Sequence, residues 1–91
     1  MADRTIITLV GKDHTGIIAP VCNYCAENGI NILDIRQTVM DEFITMMMLV
    51  DTKGCSKPFP ELSSDLDAIG ERVSCIVRAQ HEDVFNMMHR I

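Results

Sequence analysis

The stretch GKDHTGIIAP, residues 11–20, gathers the residues of this chain best suited to chemistry. Gly11, Asp13, His14 and Gly16 stand at a corner where a β-like run gives way to a helical pattern. Glycine at such a corner serves one of two ends: it turns the chain, or it lets a ligand approach the backbone closely. His14 reads either as a ligand contact or as an exposed loop histidine. Cys22-x-x-Cys25 has the spacing of a redox or metal pair. Within an apolar helical stripe that spacing reads as buried thiols, and no second pair stands at zinc spacing. Met46, Met47 and Met48 would form a soft-metal track only if they shared a face. A strand points successive residues to opposite faces, so adaptable packing is the expectation. No Ser–His–Asp or Cys–His spacing, phosphate loop or hydrolase motif stands out, and no catalytic residue, metal or cofactor is expected.

The elements that must position these residues follow from periodicity. Arg4 to Val10 is apolar and β-branched, a strand ending at Gly11. From Thr15 to Asn28 the residues Ile17, Ile18, Val21, Cys22, Cys25 and Ala26 fall on one helical stripe, with Tyr24 on the opposite side. Thr15 or Asp13 is placed to cap that helix, and Pro20 falls in its first turn. Ile30–Met40 and Phe43–Asp51 read as strands joined by a short acidic turn, hence a hairpin. A second helix carries Phe59, Leu62, Leu66 and Ile69 on one face and Gly70 near its end. Val73 to Gln80 alternates as a half-buried strand, and Glu82 to Ile91 closes at helical spacing.

The order β-α-β-β-α-β, with right-handed crossovers, predicts an α+β sandwich of the ferredoxin-like type. Its four-stranded antiparallel sheet carries two helices on one face, plus a short C-terminal helix. The expected domain spans residues 1–91, with the core about 4–80 and the terminal helix about 82–91. Ile44 to Val50 does not alternate, so both faces of that strand are apolar. A homodimer is therefore expected, with Ile30, Ile32, Met46 and Met48 at or near the contact.

Ninety-one residues, 47% of them hydrophobic and 23% charged, make one globular domain. A net charge of −5 argues against nucleic acid and against an anionic membrane surface as partners. Met1 to Arg4 shows no secretory leader, and no apolar run reaches membrane-spanning length. The expected compartment is the cytoplasm, where Cys22, Cys25, Cys55 and Cys75 are free thiols. Their phase predicts Cys22, Cys25 and Cys75 to be largely buried.

VGKDHTGIIAPV, followed by NGINILDIRQTV, resembles the signature of ACT domains, the small modules that sense amino acids. The likeness covers nearly the whole chain in element order and is closest from Val10 to Val39. It is strongest to the stand-alone single-ACT proteins of bacteria, relatives of the glycine-cleavage regulatory repressor. The resemblance implies an amino-acid site between the first loop and the second strand, usually at a dimer interface. Its members would be Gly11, Asp13, His14, Thr15, Gly16, Ile17 and Asn31. The N–H groups of Thr15, Gly16 and Ile17 would seat an α-carboxylate, while Asp13 and Asn31 would hold the ammonium. Gln37 and Thr38 read as sheet-surface polar residues or as neighbours of that site. In the competing account the glycines only turn the chain, Asp13 caps the helix and Asn31 pairs with loop backbone. The protein would then be an adaptor for a protein partner, with no ligand; a third reading, resting on the cysteines, is a thiol- or metal-dependent protein.

Overall fold

The computed structural model describes residues 4–12 and 16–82. Strand β1 (Arg4–Lys12) leads through helix α1 (Ala19–Glu27) to the hairpin of β2 (Asn31–Met40) and β3 (Phe43–Asp51). Helix α2 (Phe59–Arg72) and strand β4 (Cys75–His81) complete the order. The sheet runs β2-β3-β1-β4, antiparallel at every pairing. This is the expected ferredoxin-like α+β fold. Of the terminal helix expected over 82–91, everything beyond Glu82 lies outside the described residues.

Alternation along β1 and β3 divides the sheet into two faces. Thr5, Ile7 and Leu9 of β1 point to the helices, as do Ile44, Met46, Met48 and Val50 of β3. They meet Val21, Tyr24 and Cys25 from α1 and Leu62, Leu66 and Ile69 from α2 in one core. The other face carries Ile6, Thr8 and Val10 beside Thr45, Met47 and Leu49. Ile30, Met46 and Met48, expected at a contact between chains, are instead buried inside this one. Only Ile32 of that set is half-buried. The run from Ile44 to Val50 breaks alternation because both faces of a central strand are apolar here.

Helix α1 begins four residues later than the periodicity suggests. Gly16 sits at φ +84, a left-handed conformation that no helix can include, so the chain turns there before it coils. Pro20 occupies the first turn, where its missing N–H costs nothing. The N-cap is Ile18, which offers no side-chain hydrogen bond, so neither Asp13 nor Thr15 holds that position. Helix α2 follows the dipole preference, with Glu61 in its first turn and Arg72 in its last. Tyr24, read from the helical stripe as outward-facing, is buried between the helices.

Two substitutions separate the faces. Met48→Ala is expected to cost about 2–5 kcal/mol by opening a cavity in the core. Met47→Ala, on the opposite face, is expected to cost about 1 kcal/mol. Urea denaturation of the two variants against wild type measures the difference, and equal losses would contradict the assignment of faces.

Candidate functional site

Gly11 is the next-to-last residue of β1 and lies between Ile44 on β3 and Cys75 on β4. A Cβ at Gly11 would stand 2.5 Å from Cys75 Sγ and 3.0 Å from Cys75 Cβ. Position 11 is therefore glycine because a side chain on the neighbouring strand already fills the space. Gly16 is the opposite case. A Cβ there would meet nothing within 4 Å, so conformation and not crowding selects glycine, and the space above it is open.

Ile17 is buried in the core, 2% exposed. The N–H groups of Val21 and Cys22 both donate to the Ile18 carbonyl at 3.1 Å, and Pro20 has none. The first turn of α1 thus leaves fewer free donors for an anion than a helix starting at Thr15 would. Asp13, His14 and Thr15 lie outside the described residues.

Asn31 is exposed at the start of β2 and pairs with Asp51, which pairs in turn with Arg4. Gly11 lies seven residues along β1 from Arg4, roughly 23 Å at the rise of a strand. One chain therefore holds Gly11 and Gly16 at one end of the sheet and Asn31 at the other. Gln37 pairs with Met46 and Thr38 with Thr45, both polar residues exposed on the same edge strand.

That edge is the most open part of the described chain. Leu33, Ile35, Val39 and Met40 on β2 are 46, 42, 54 and 74% exposed. The register skips Leu33 between the pairs Ile32–Val50 and Asp34–Leu49, a β-bulge near the start of the strand. From Asp34 to Met40 the strand presents an unbroken outer edge, able to accept another strand.

A second polar group ties the helices together. The Tyr24 hydroxyl donates to Asp65 Oδ2 at 2.7 Å, and Lys57 Nζ donates to the same oxygen at 2.8 Å. The Lys57 ammonium also stands 5.3 Å from the centre of the Tyr24 ring. Lys57, then Tyr24, holds the Asp65 carboxyl below the usual carboxylate range, and Asp65 in turn raises Lys57. Burial first, and then the hydrogen bond to Asp65, pushes the Tyr24 phenol upward. Tyr24 and Asp65 are 41 residues apart, so no local spacing announces them.

All four cysteines are free thiols: Cys25 is buried, while Cys22 and Cys75 are half-buried, less enclosed than their phase suggests. Among the described residues no three His, Cys, Asp or Glu side chains converge as a metal site. Among them, too, no helix is long and apolar enough to cross a membrane.

A βαββαβ domain with an open glycine turn at one end of its sheet and an exposed edge strand defines a ferredoxin-like module, a fold that hosts many functions. The model of the ACT domain matches residues 3–80, and the chain belongs to that family, generally regulatory small-molecule-binding modules. A UPF0237 protein of Bifidobacterium longum is 42% identical over 89 residues, covering 98% of this chain and 99% of its own. An ACT domain protein from Streptococcus pneumoniae superimposes with a TM-score of 0.81 at 40% identity, over 93% of this chain and 96% of that one. A protein assigned as a glycine cleavage system transcriptional repressor shares the fold at 24% identity, with a TM-score of 0.72. That match covers 88% of this chain and 46% of the other.

Two outcomes follow from this geometry. Gly11→Ala is expected to lower thermal stability, and Cys75→Ala in the same chain to restore part of the loss; a double-mutant cycle without coupling would contradict the close approach. Burial, with smaller contributions from Cys22 and Cys55, pushes the Cys25 thiol from 9.0 up to about 11. The folded state therefore holds this proton more tightly than the unfolded chain. That stabilisation is complete below pH 9.0 and is lost as pH rises to about 11. Urea melts across that window should show the decline in wild type and a shallower one in Cys25→Ala.

Proposed function

We propose that this chain is an amino-acid-sensing regulatory module that acts as a homodimer in the cytoplasm and catalyses no reaction. On this reading residues 1–91 form one domain with its core at 4–80. The observation that carries the reading is the separation of Asn31 from the glycine turn. An amino acid must have its carboxylate and its ammonium held within a few ångströms of each other, and these residues of one chain cannot do that. Antiparallel pairing of β2 with β2 of a second copy runs the start of one strand alongside the end of the other. Asn31 then reaches the end of the partner sheet that carries its Gly11–Gly16 turn.

The composite seat has a role for each member. Gly11 and Gly16 keep bulk away, and the backbone from Thr15 to Ile17 receives the carboxylate. Asp13 and the second copy's Asn31 take the ammonium, and His14 faces the ligand side chain. The exposed apolar residues of β2 support the same pairing, since a long unpaired edge is a template for another strand. Ligand binding at a seat shared by two copies reports on dimer geometry, which a protein partner then reads.

Calorimetric titration with each of the twenty amino acids tests this reading, combined with light scattering at micromolar concentration. A dimer that binds one small amino acid is expected. Asn31→Ala should weaken that binding by about 1–3 kcal/mol through a lost charge-assisted hydrogen bond, with the fold intact. A stable monomer, or no binding at millimolar concentration, would hand the function to the adaptor reading.

A further inference from the structure

A cavity of about 290 Å³ lies between the segment joining β3 to α2, the first turn of α2 and the end of β4. Lys53, Lys57 and His81 line it, with Cys55 beside them and Phe59 and Leu62 as its apolar wall. No aspartate or glutamate lines it, in a chain whose acidic residues outnumber Lys and Arg by 13 to 8. The cavity lies on the helix-facing side of the sheet and includes none of the residues assigned to the amino-acid seat.

Its polar groups have hydrogen bonds to spare. The Lys53 ammonium has no carboxylate partner among the described residues; its backbone N–H donates to Asp51 Oδ1 at 2.9 Å. Lys57 Nζ gives one hydrogen to Asp65 Oδ2 and keeps two others. Asp65 does not line the cavity, and that oxygen is already shared by Lys57 and Tyr24. The His81 ring is held by stacking on Phe59, with centroids 4.1 Å apart, a contact that uses its face and leaves its nitrogens at the edge.

Thr5 supplies a separate observation. It is fully buried, and its hydroxyl has no partner among the described residues. Thr5 stands opposite His81 in the β1–β4 ladder, so both side chains leave the sheet on the face where the cavity lies. A buried hydroxyl left unbonded is costly, and such groups as a rule have a partner.

We propose that this cavity binds a small organic phosphate. A phosphate monoester carries a charge of about −1.5 to −2 near neutral pH, which two ammonium groups match. Both cations are lysines, which meet phosphate as point charges, and no arginine fork is present to pair with a planar carboxylate. His81 and the Thr5 hydroxyl add neutral donors, and Phe59 and Leu62 receive the organic body. This assignment is independent of amino-acid binding.

The test titrates the full chain with phenyl phosphate by calorimetry at physiological ionic strength. Binding at one site per chain is expected, with inorganic phosphate weaker and phenol inert. Lys53→Gln, Thr5→Val and His81→Phe, which keeps the ring stack, are each expected to weaken binding about fivefold or more. Arg78→Gln, an equal loss of charge on the opposite face, should leave it unchanged. Phenyl phosphate should also slow alkylation of Cys55 by iodoacetamide severalfold and leave Cys75, at the far end of the sheet, unaffected. The proposal is overturned by an absence of binding, by tighter binding of benzoate, or by affinity unmoved in Lys53→Gln or Thr5→Val. An equal loss in Arg78→Gln would mean an adventitious ion only, and an unprotected Cys55 would place the ligand elsewhere; either overturns it. Where Thr5→Val or His81→Phe fails to fold, Lys53→Gln on its exposed turn and the protection of Cys55 decide.

Discussion

The antiparallel register about β1 is the constraint on which everything else in this domain depends. β1 and β3 are the two strands with a partner along both sides, and the pairs between them run from Arg4–Asp51 at one end to Lys12–Phe43 at the other. The helix-facing residues of β1 are fixed by those pairs, and so is the alternation that β3 must follow. The register also sets the distance between the two halves of the candidate site. A slip by one residue would turn Ile7 and Leu9 to the open face and Thr8 into the core, so a hydrophobic penalty guards the arrangement.

A domain this small has little margin, and the helices show how it is managed. A nine-residue helix such as α1 is marginal in water, so its stability has to come from what it packs against. Val21 and Cys25 supply the apolar contact. Tyr24 adds a directional one, because its hydroxyl shares the Asp65 carboxylate with Lys57 from the connection before α2. One oxygen thus links α1, α2 and the chain leading out of β3. The stacking of Phe59 on His81, with ring centres 4.1 Å apart, anchors the start of α2 against the end of β4 in the same way.

Much of the fold was legible because the periodicities are clean. The βαββαβ order follows from runs of β-branched residues and from the two stripes, Val21–Cys25 and Leu62–Leu66–Ile69. What was not legible depended on partners distant in sequence. The outward assignment of Tyr24 came from counting along α1, while Asp65, 41 residues away, decides its burial. Thr15 and Asp13 look like caps in the sequence, whereas the conformation of Gly16 prevents α1 from reaching them. Residue type alone marks Gly11 and Gly16 as special positions, and the structure gives each a reason: Cys75 fills the space beside Gly11, and a positive φ selects Gly16. The position of Asn31 follows from the crossover and not from residue type: α1 carries the chain back over the sheet, so β2 starts at the end where β1 starts, away from Gly11. Met46 and Met48 pack in the core, in keeping with their adaptable side chains, and not at a contact between chains, because an apolar strand without alternation does not say which of its faces is covered by its own chain.

The bulge in β2 has a consequence for how this strand tolerates change in length. Ile32 pairs with Val50 and Asp34 with Leu49, which are the partners a regular ladder would give if Leu33 were absent. The strand carries one residue more than its pairing uses. Removing Leu33 would leave every other side chain of β2 on its present face, whereas removing Ile35 or Arg36 would invert all that follow. Position 33 is thus a place where the chain can gain or lose a residue while its pattern of inward and outward side chains stays in phase, and the cost is confined to the local twist of an outer strand.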